Sequence, residues 1–260
     1  MIQPELLKNY FPPYLSENRS HQKYMLKEYL QLLILDYLTT TPYIRKLVFI
    51  GGTNLRLTKG IDRFSEDLDF DCKRLSKAEF MIMTDGIVHF LKRNGLNVET
   101  RDKVNDKLKA FRRSLYFPGL LFDLSLSGYK NERFLIKVES QDQQIEYTHK
   151  MAQIKGCGFF FSFPVPTDQV ICAMKVSALL SRQKGRDFYD TLFLMGQTQP
   201  DYKFLSAKCG ISNLQDLKDA LSALLFQVDL AHKAKDFEHL VFQKRNSRKI
   251  LLFNEFVKGL

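Results

Sequence analysis

The chain has 260 residues, 45% of them hydrophobic, enough to bury one large core or two modest ones. Its 39 Lys and Arg against 29 Asp and Glu leave a net charge of +10, which favours polyanionic partners, nucleic acid first among them. Cys72, Cys157, Cys172 and Cys209 show no CxxC or Cys/His spacing, which argues against a disulfide framework or a zinc site and for reduced thiols. No apolar run reaches the ~18 residues of a membrane span. The opening "MIQPELLKNYFPPYLSENRS" has no apolar signal core, so a cytoplasmic protein without a membrane partner is expected.

In chain order, residues 20–40 carry apolar side chains at helical spacing (Tyr24, Leu26, Tyr29, Leu30, Leu33, Ile34, Tyr37), and Pro42 marks the end of that helix. "KLVFI" reads as a short buried strand running into Gly51 and Gly52, and "DLDFD" as a second strand. "KAEFMIMTDGIVHFLKRNG" is an amphipathic helix that ends at Gly95 with Lys92 and Arg93 in its last turn. "NVETR", "SLYF", "GLLFDLSLSG" and "RFLIKVES" read as strands. From Thr167 onward the pattern turns helical, through "TDQVICAMKVSALLSRQKG", "DFYDTLFLMG", "NLQDLKDALSALLFQVDLAHKA" and "RKILLFNEFVKGL". The fold class expected is α+β. A core of residues 1–165, with a small mixed sheet flanked by helices and an N-terminal helix, precedes a helical region of residues 166–260.

The chemistry concentrates in "FIGGTNLRLTKGIDRFSEDLDFD", residues 49–71. Side chains two apart on a strand share a face, so Asp67, Asp69 and Asp71 form a row of carboxylates while Leu68 and Phe70 point to the core. Like charges in a row repel, and a hard divalent cation relieves that repulsion. Gly51 and Gly52 lack Cβ atoms and let a phosphate approach the backbone. The exposed N–H groups of such a turn, beside the Thr53 hydroxyl and a helix N-terminus, attract anions. A nucleoside triphosphate on the turn with its metal on the aspartates accounts for both halves. A plain glycine turn beside a solvated acidic strand edge is the alternative.

The strand, "GGT", helix and "RFSEDLDF" order resembles the signature of DNA polymerase β-like nucleotidyltransferases. In its specific form it is similar to the AbiEii/AbiGii family of bacterial nucleotidyltransferase toxins. A second segment, "MKVSALLSRQKGRDFYDTLFL" (residues 174–194), resembles that family's downstream Lys…Arg-Asp-x-x-Asp motif, and the likeness spans residues 20 to 200. It implies that Gly51, Gly52 and Thr53 form the phosphate-binding turn and that Asp67 and Asp69 are metal ligands. Ser65 either bonds phosphate or caps the turn, and Arg56 pairs with phosphate or with the acidic strand. Asp71 is not required by the resemblance and reads as an exposed strand end. Glu139 is the best match to the superfamily's third carboxylate, with Asp123 its rival, acting as general base or in a second metal site.

Lys175, Arg182 and Arg186 lie at offsets of seven and eleven residues and would share one helical face if Gly185 does not break the helix. Such a stripe suits a triphosphate, with a solvated face as the alternative. The resemblance places Lys175, Arg186 and Asp187 in the site, Asp187 as a base or as the group that orients Lys175. Asp190 is an alternative partner of Arg186, four residues earlier.

The resemblance implies metal-dependent transfer of a nucleoside monophosphate from an NTP, with Mg²⁺ or Mn²⁺, to an acceptor hydroxyl. The role implied is that of the toxin in a toxin–antitoxin or phage-defence system, with a cognate antitoxin, protein or RNA. The acceptor expected is RNA, the tRNA 3′ end in particular, and the net charge suits it. The densest basic cluster is residues 101–113, with Phe111 and Tyr116 as candidate base-stacking groups. An aminoglycoside-type small-molecule nucleotidyltransferase and a non-catalytic nucleotide or nucleic-acid binder are the alternatives.

Overall fold

Three helices open the computed structural model, which describes residues 3–101 and 110–260. They are α1 (Pro4–Lys8), α2 (Pro13–Ser16) and α3 (Arg19–Thr39). Proline opens the first two, where its missing N–H costs nothing, and the Asn18 side chain accepts from Ser20 N to cap the third. Helix α3 is buried on almost every side, its Lys27, Glu28 and Gln31 included.

A 3₁₀ turn at Pro42–Lys46 leads to β1 (Leu47–Ile50), which runs directly into α4 (Gly51–Lys59). Strand β2 (Leu68–Cys72) follows, then α5 (Lys77–Arg93), opened by a Ser76–Glu79 capping box. Next come β3 (Glu99–Thr100), β4 (Phe111–Tyr116), the short α6 (Leu120–Asp123) and β5 (Leu135–Gln141). The sheet order is β1-β2-β5-β4-β3, with β2 and β5 parallel and the other neighbours antiparallel.

Residues opposite one another across a ladder point the same way. Phe49, Phe70, Ser140 and Phe111 therefore share one face, the core side. Ile50, Asp69, Glu139 and Arg112 form the adjacent row on the other face.

Two sequence readings are corrected here. "GLLFDLSLSG" is not a strand: Gly119 turns the chain at φ 71 and Leu120–Asp123 close a helical turn. Short apolar runs carry no period that separates the two states. The second is an omission, the hairpin β6 (His149–Gly156) and β7 (Phe159–Pro166). Cys157 and Gly158 join its strands at φ 47 and 84, the positive pair of a two-residue hairpin turn. Its Phe163 is fully buried, with ring centroids 5.9 Å from Phe49 and 5.8 Å from Phe70.

The helices that follow are α7 (Asp168–Arg182), α8 (Gly185–Met195), α9 (Tyr202–Cys209), α10 (Leu214–Leu225) and α11 (Leu230–Asp236). A 3₁₀ segment at Lys244–Leu252 and α12 (Phe253–Lys258) end the chain. The fold is α+β, as expected.

By contacts, the chain divides into two units. The first holds residues up to Gly60 with Phe64–Gln143 and Met151–Val165; the second holds Ile61–Arg63, Gln144–Lys150 and Pro166–Leu260. All four cysteines are free thiols. Among the described residues, no helix is long and apolar enough to cross a membrane.

The place of Phe163 against the sheet yields a stability test. Phe163→Ala should cost about 3–5 kcal/mol in urea unfolding, through lost burial and the cavity left behind. A loss under about 1 kcal/mol would mean that the hairpin is not part of the sheet's core.

Candidate active site

The turn from β1 into α4 is built around the bare Cα of Gly51. Its φ is 82, and a Cβ built there would overlap the Asp69 carboxylate and lie 2.8 Å from the Asp69 Cβ. Both features exclude other residues. Ile50, at the N-cap, supplies no side-chain cap to α4, and its register partner on β2 is Asp69.

Beside Asp69, β5 supplies Glu139 at the matching register. Glu139, not Asp123, is the carboxylate next to Asp69 in the sheet; Asp123 lies in the turn-like α6. Asp67 immediately precedes β2, half-buried, with Lys137 Nζ 3.5 Å from its Oδ2. Arg112 on β4 grips Glu139 from the far side, Nε to Oε1 at 2.8 Å and Nη2 to Oε2 at 3.0 Å. Asp71 is not the exposed strand end expected: it is 1% exposed and accepts from the Gln143 backbone N–H at 2.9 Å.

Helix α3 holds this corner together with polar side chains. Gln31 Nε2 donates to the Ser65 carbonyl at 3.2 Å and to Thr53 Oγ1 at 3.5 Å, and Thr53 in turn donates to the Asp67 carbonyl. Lys27 pairs with Glu66 at 3.2 Å. Arg56 donates to both oxygens of Glu28, at 2.8 and 3.1 Å, which accounts for a residue expected at the phosphate or the acidic strand. Ser65 is buried, and its backbone is what Gln31 holds.

The basic cluster reads differently in three dimensions. Residues 102–109 of it lie outside the described residues. Arg112 belongs to Glu139, and Arg113 is buried, its Nη1 donating to Asp85, Thr84 Oγ1 and the Met81 carbonyl. Phe111 packs on Phe80 at 5.6 Å, and Tyr116 is buried under the Arg101 guanidinium at 3.7 Å. These side chains are structural partners, not a free basic or stacking surface.

In the second unit, the helix carrying Lys175 ends at Gln183, whose φ is 54, and a new helix starts at Gly185. Lys175 and Arg182 are thus on α7 and Arg186 on α8, so the three do not form one helical stripe. Asp187 caps α8, accepting from Lys184 N at 3.2 Å and from Arg182 at 2.6 Å. The carboxylate that meets Lys175 is Asp190, at 2.8 Å. Asp190 also accepts from Arg63 Nε and Nη2, both at 2.7 Å. Burial alone would push the Asp190 carboxyl up, but the Arg63 charge, then that of Lys175, and their hydrogen bonds together hold it at about 2. Asp62 anchors the same segment, accepting from Tyr189 and Asn246. Residues 61–63 are therefore fixed in the second unit, and Arg63 stands four positions before Asp67 in the chain.

The donor set suits a hard cation that takes one or two carboxylates and completes its shell with phosphate and water. Among the described residues, no group of three or more His, Cys, Asp and Glu is arranged to hold a metal unaided.

The family model described as nucleotidyl transferase AbiEii toxin, type IV toxin–antitoxin system, matches residues 33–243. The chain belongs to the AbiEii nucleotidyltransferase toxin family. Comparison with curated proteins finds no match. Among solved structures, MenT4, a nucleotidyltransferase toxin from Mycobacterium tuberculosis H37Rv, is similar at 15% identity and a TM-score of 0.60, covering 100% of this chain and 91% of its own. JHP933 from Helicobacter pylori is similar at 19% identity and a TM-score of 0.51, covering 91% of this chain and 92% of its own. At these identities the structures show a shared fold. Family membership makes this AbiEii-type chain a nucleotidyltransferase.

Asp190 yields a pH test. Its depressed pKa adds stability that is in place above pH of about 4, the unfolded carboxylate value, and is lost as pH falls toward about 2. Asp190→Asn strands two buried cations and should cost about 3–5 kcal/mol near neutral pH, while flattening the loss across that acid window. Equal acid sensitivity in wild type and variant, followed by denaturant unfolding, would contradict the network's role.

Proposed function

We propose that this chain moves a nucleoside monophosphate from an NTP to a hydroxyl at the 3′ end of tRNA, with Mg²⁺ or Mn²⁺, as the toxin of a toxin–antitoxin pair acting in the cytoplasm. The observation that carries the reading is Gly51. Its bare Cα lies against the Asp69 carboxylate where α4 begins, so a helix N-terminus and a cation-attracting side chain meet at one point.

In this reading, Asp67 and Asp69 hold the divalent cation, which when bound offsets triphosphate charge and favours ionisation of the attacking hydroxyl. The backbone N–H groups at Gly52 and Thr53 bind phosphate oxygens. The Thr53 hydroxyl stays with the Asp67 carbonyl and keeps turn and carboxylate in register. The acceptor oxygen bonds to the α-phosphorus, the bond to the bridging oxygen breaks, and pyrophosphate leaves. Glu139, oriented by Arg112, takes the acceptor's proton. The downstream motif, and no placement in the fold, supports Lys175 and Arg186 as cations for the leaving pyrophosphate. Asp187 orders the start of α8, and Asp190 orients Lys175. The net charge of +10 supports an RNA acceptor, and the family's toxin–antitoxin description supports a cognate antitoxin partner.

Incubating the chain with each labelled NTP, Mg²⁺ and total cellular RNA should place label at tRNA 3′ ends, and Asp69→Asn should lower incorporation about a hundredfold or more. Gly51→Ala should do the same and should also lower the melting temperature, because the added Cβ meets the Asp69 side chain at a left-handed φ. Label on an aminoglycoside instead of RNA would establish the small-molecule reading, and no incorporation with any NTP would leave a binding module.

A further inference from the structure

We propose that Lys137 is a nucleotide-contacting residue that releases Asp67 and takes the triphosphate when the divalent cation arrives. This rests on the nucleotidyl-transfer reading above. Lys137 lies on β5 two residues before Glu139, so both side chains leave the same face of the sheet. Its register partner on β4 is Ser114, and on its other side it reaches Asp67. Lys137 and Arg112 both border carboxylates of this face, and they are held differently. Arg112 is fixed to Glu139 by two hydrogen bonds of 2.8 and 3.0 Å. Lys137 meets Asp67 through one long hydrogen bond, 3.5 Å, and its side chain is 37% exposed.

Asp67 is held by Lys137 through that single long contact, where Glu139 is held by Arg112 through two short ones. A lysine is a compact charge on a flexible four-carbon stem, able to change partners without moving the strand. In the nucleotide-free protein it offsets the repulsion between Asp67 and Asp69. A divalent cation on those carboxylates repels the ammonium, and the triphosphate is the anion that arrives with it. Lys137 thus competes with the metal for Asp67 and cooperates with it on the nucleotide, and the two effects have opposite signs.

The test is Lys137→Met in the full chain, with Lys137→Arg as the conservative variant. Mn²⁺ binding to nucleotide-free protein, read by electron paramagnetic resonance, should tighten about threefold or more in Lys137→Met, because a competing charge is gone. Affinity for a non-hydrolysable NTP with Mg²⁺, read by calorimetry, should weaken about tenfold or more, and Lys137→Arg should restore most of it. Unchanged nucleotide affinity, or a parallel loss of metal and nucleotide binding, would overturn the proposal. If the wild-type protein binds no NTP in the presence of metal, the nucleotidyl-transfer reading itself fails and this one with it.

Discussion

The contact on which this site depends is the one between the Cα of Gly51 and the carboxylate of Asp69. A strand that ends and becomes a helix in one step must turn sharply, and the left-handed φ of Gly51 permits that turn. The absence of a side chain at the same position lets the neighbouring strand present an acid there. Sheet register then brings Glu139 to the same row, since β2 and β5 run in parallel with Asp69 opposite Glu139. A one-residue slip in that pairing would send the acid to the core face.

The corner is fixed by polar groups inside a mostly apolar helix. Lys27, Glu28 and Gln31 of α3 each hold a different part: Glu66 beside Asp67, Arg56 of α4, and the backbone at Ser65. Buried polar groups need partners, and here the partners are the loop and helix that carry the site. In the second unit, the Arg63–Asp190–Lys175 cluster does similar work for residues 61–63. The Arg63–Asp190–Lys175 cluster is charged and buried, so losing one member leaves the others exposed to the full cost of desolvation.

Much of this was legible in the sequence because it is local. Strand β1, the glycines, the acidic strand and α3 follow from spacing over a few residues, and family resemblance named Glu139. What was not legible depends on distant partners. Lys137 reads as an ordinary strand cation until β2 lies beside it. The burial of Lys27, Glu28 and Gln31 depends on Glu66, Arg56 and the Ser65 backbone, which lie 28 to 39 residues further along the chain. Arg112 and Arg113 looked like free basic surface because sequence gives no sign of Glu139 and Asp85 as partners. The hairpin was available from Cys157-Gly158 between two alternating runs. The break between α7 and α8 was marked by Gly185, where the helical stripe of Lys175, Arg182 and Arg186 fails.

The central claim is that the glycine turn and the aspartates form one nucleotide–metal site. A crystal structure of the chain with Mn²⁺ and a non-hydrolysable NTP tests it most directly, through the anomalous signal of the metal. The account predicts a manganese peak at coordination distance from Asp67 and Asp69, with phosphate oxygens on the N–H groups that open α4. A nucleotide and manganese bound elsewhere on the protein, with Asp67 still paired to Lys137, would contradict it.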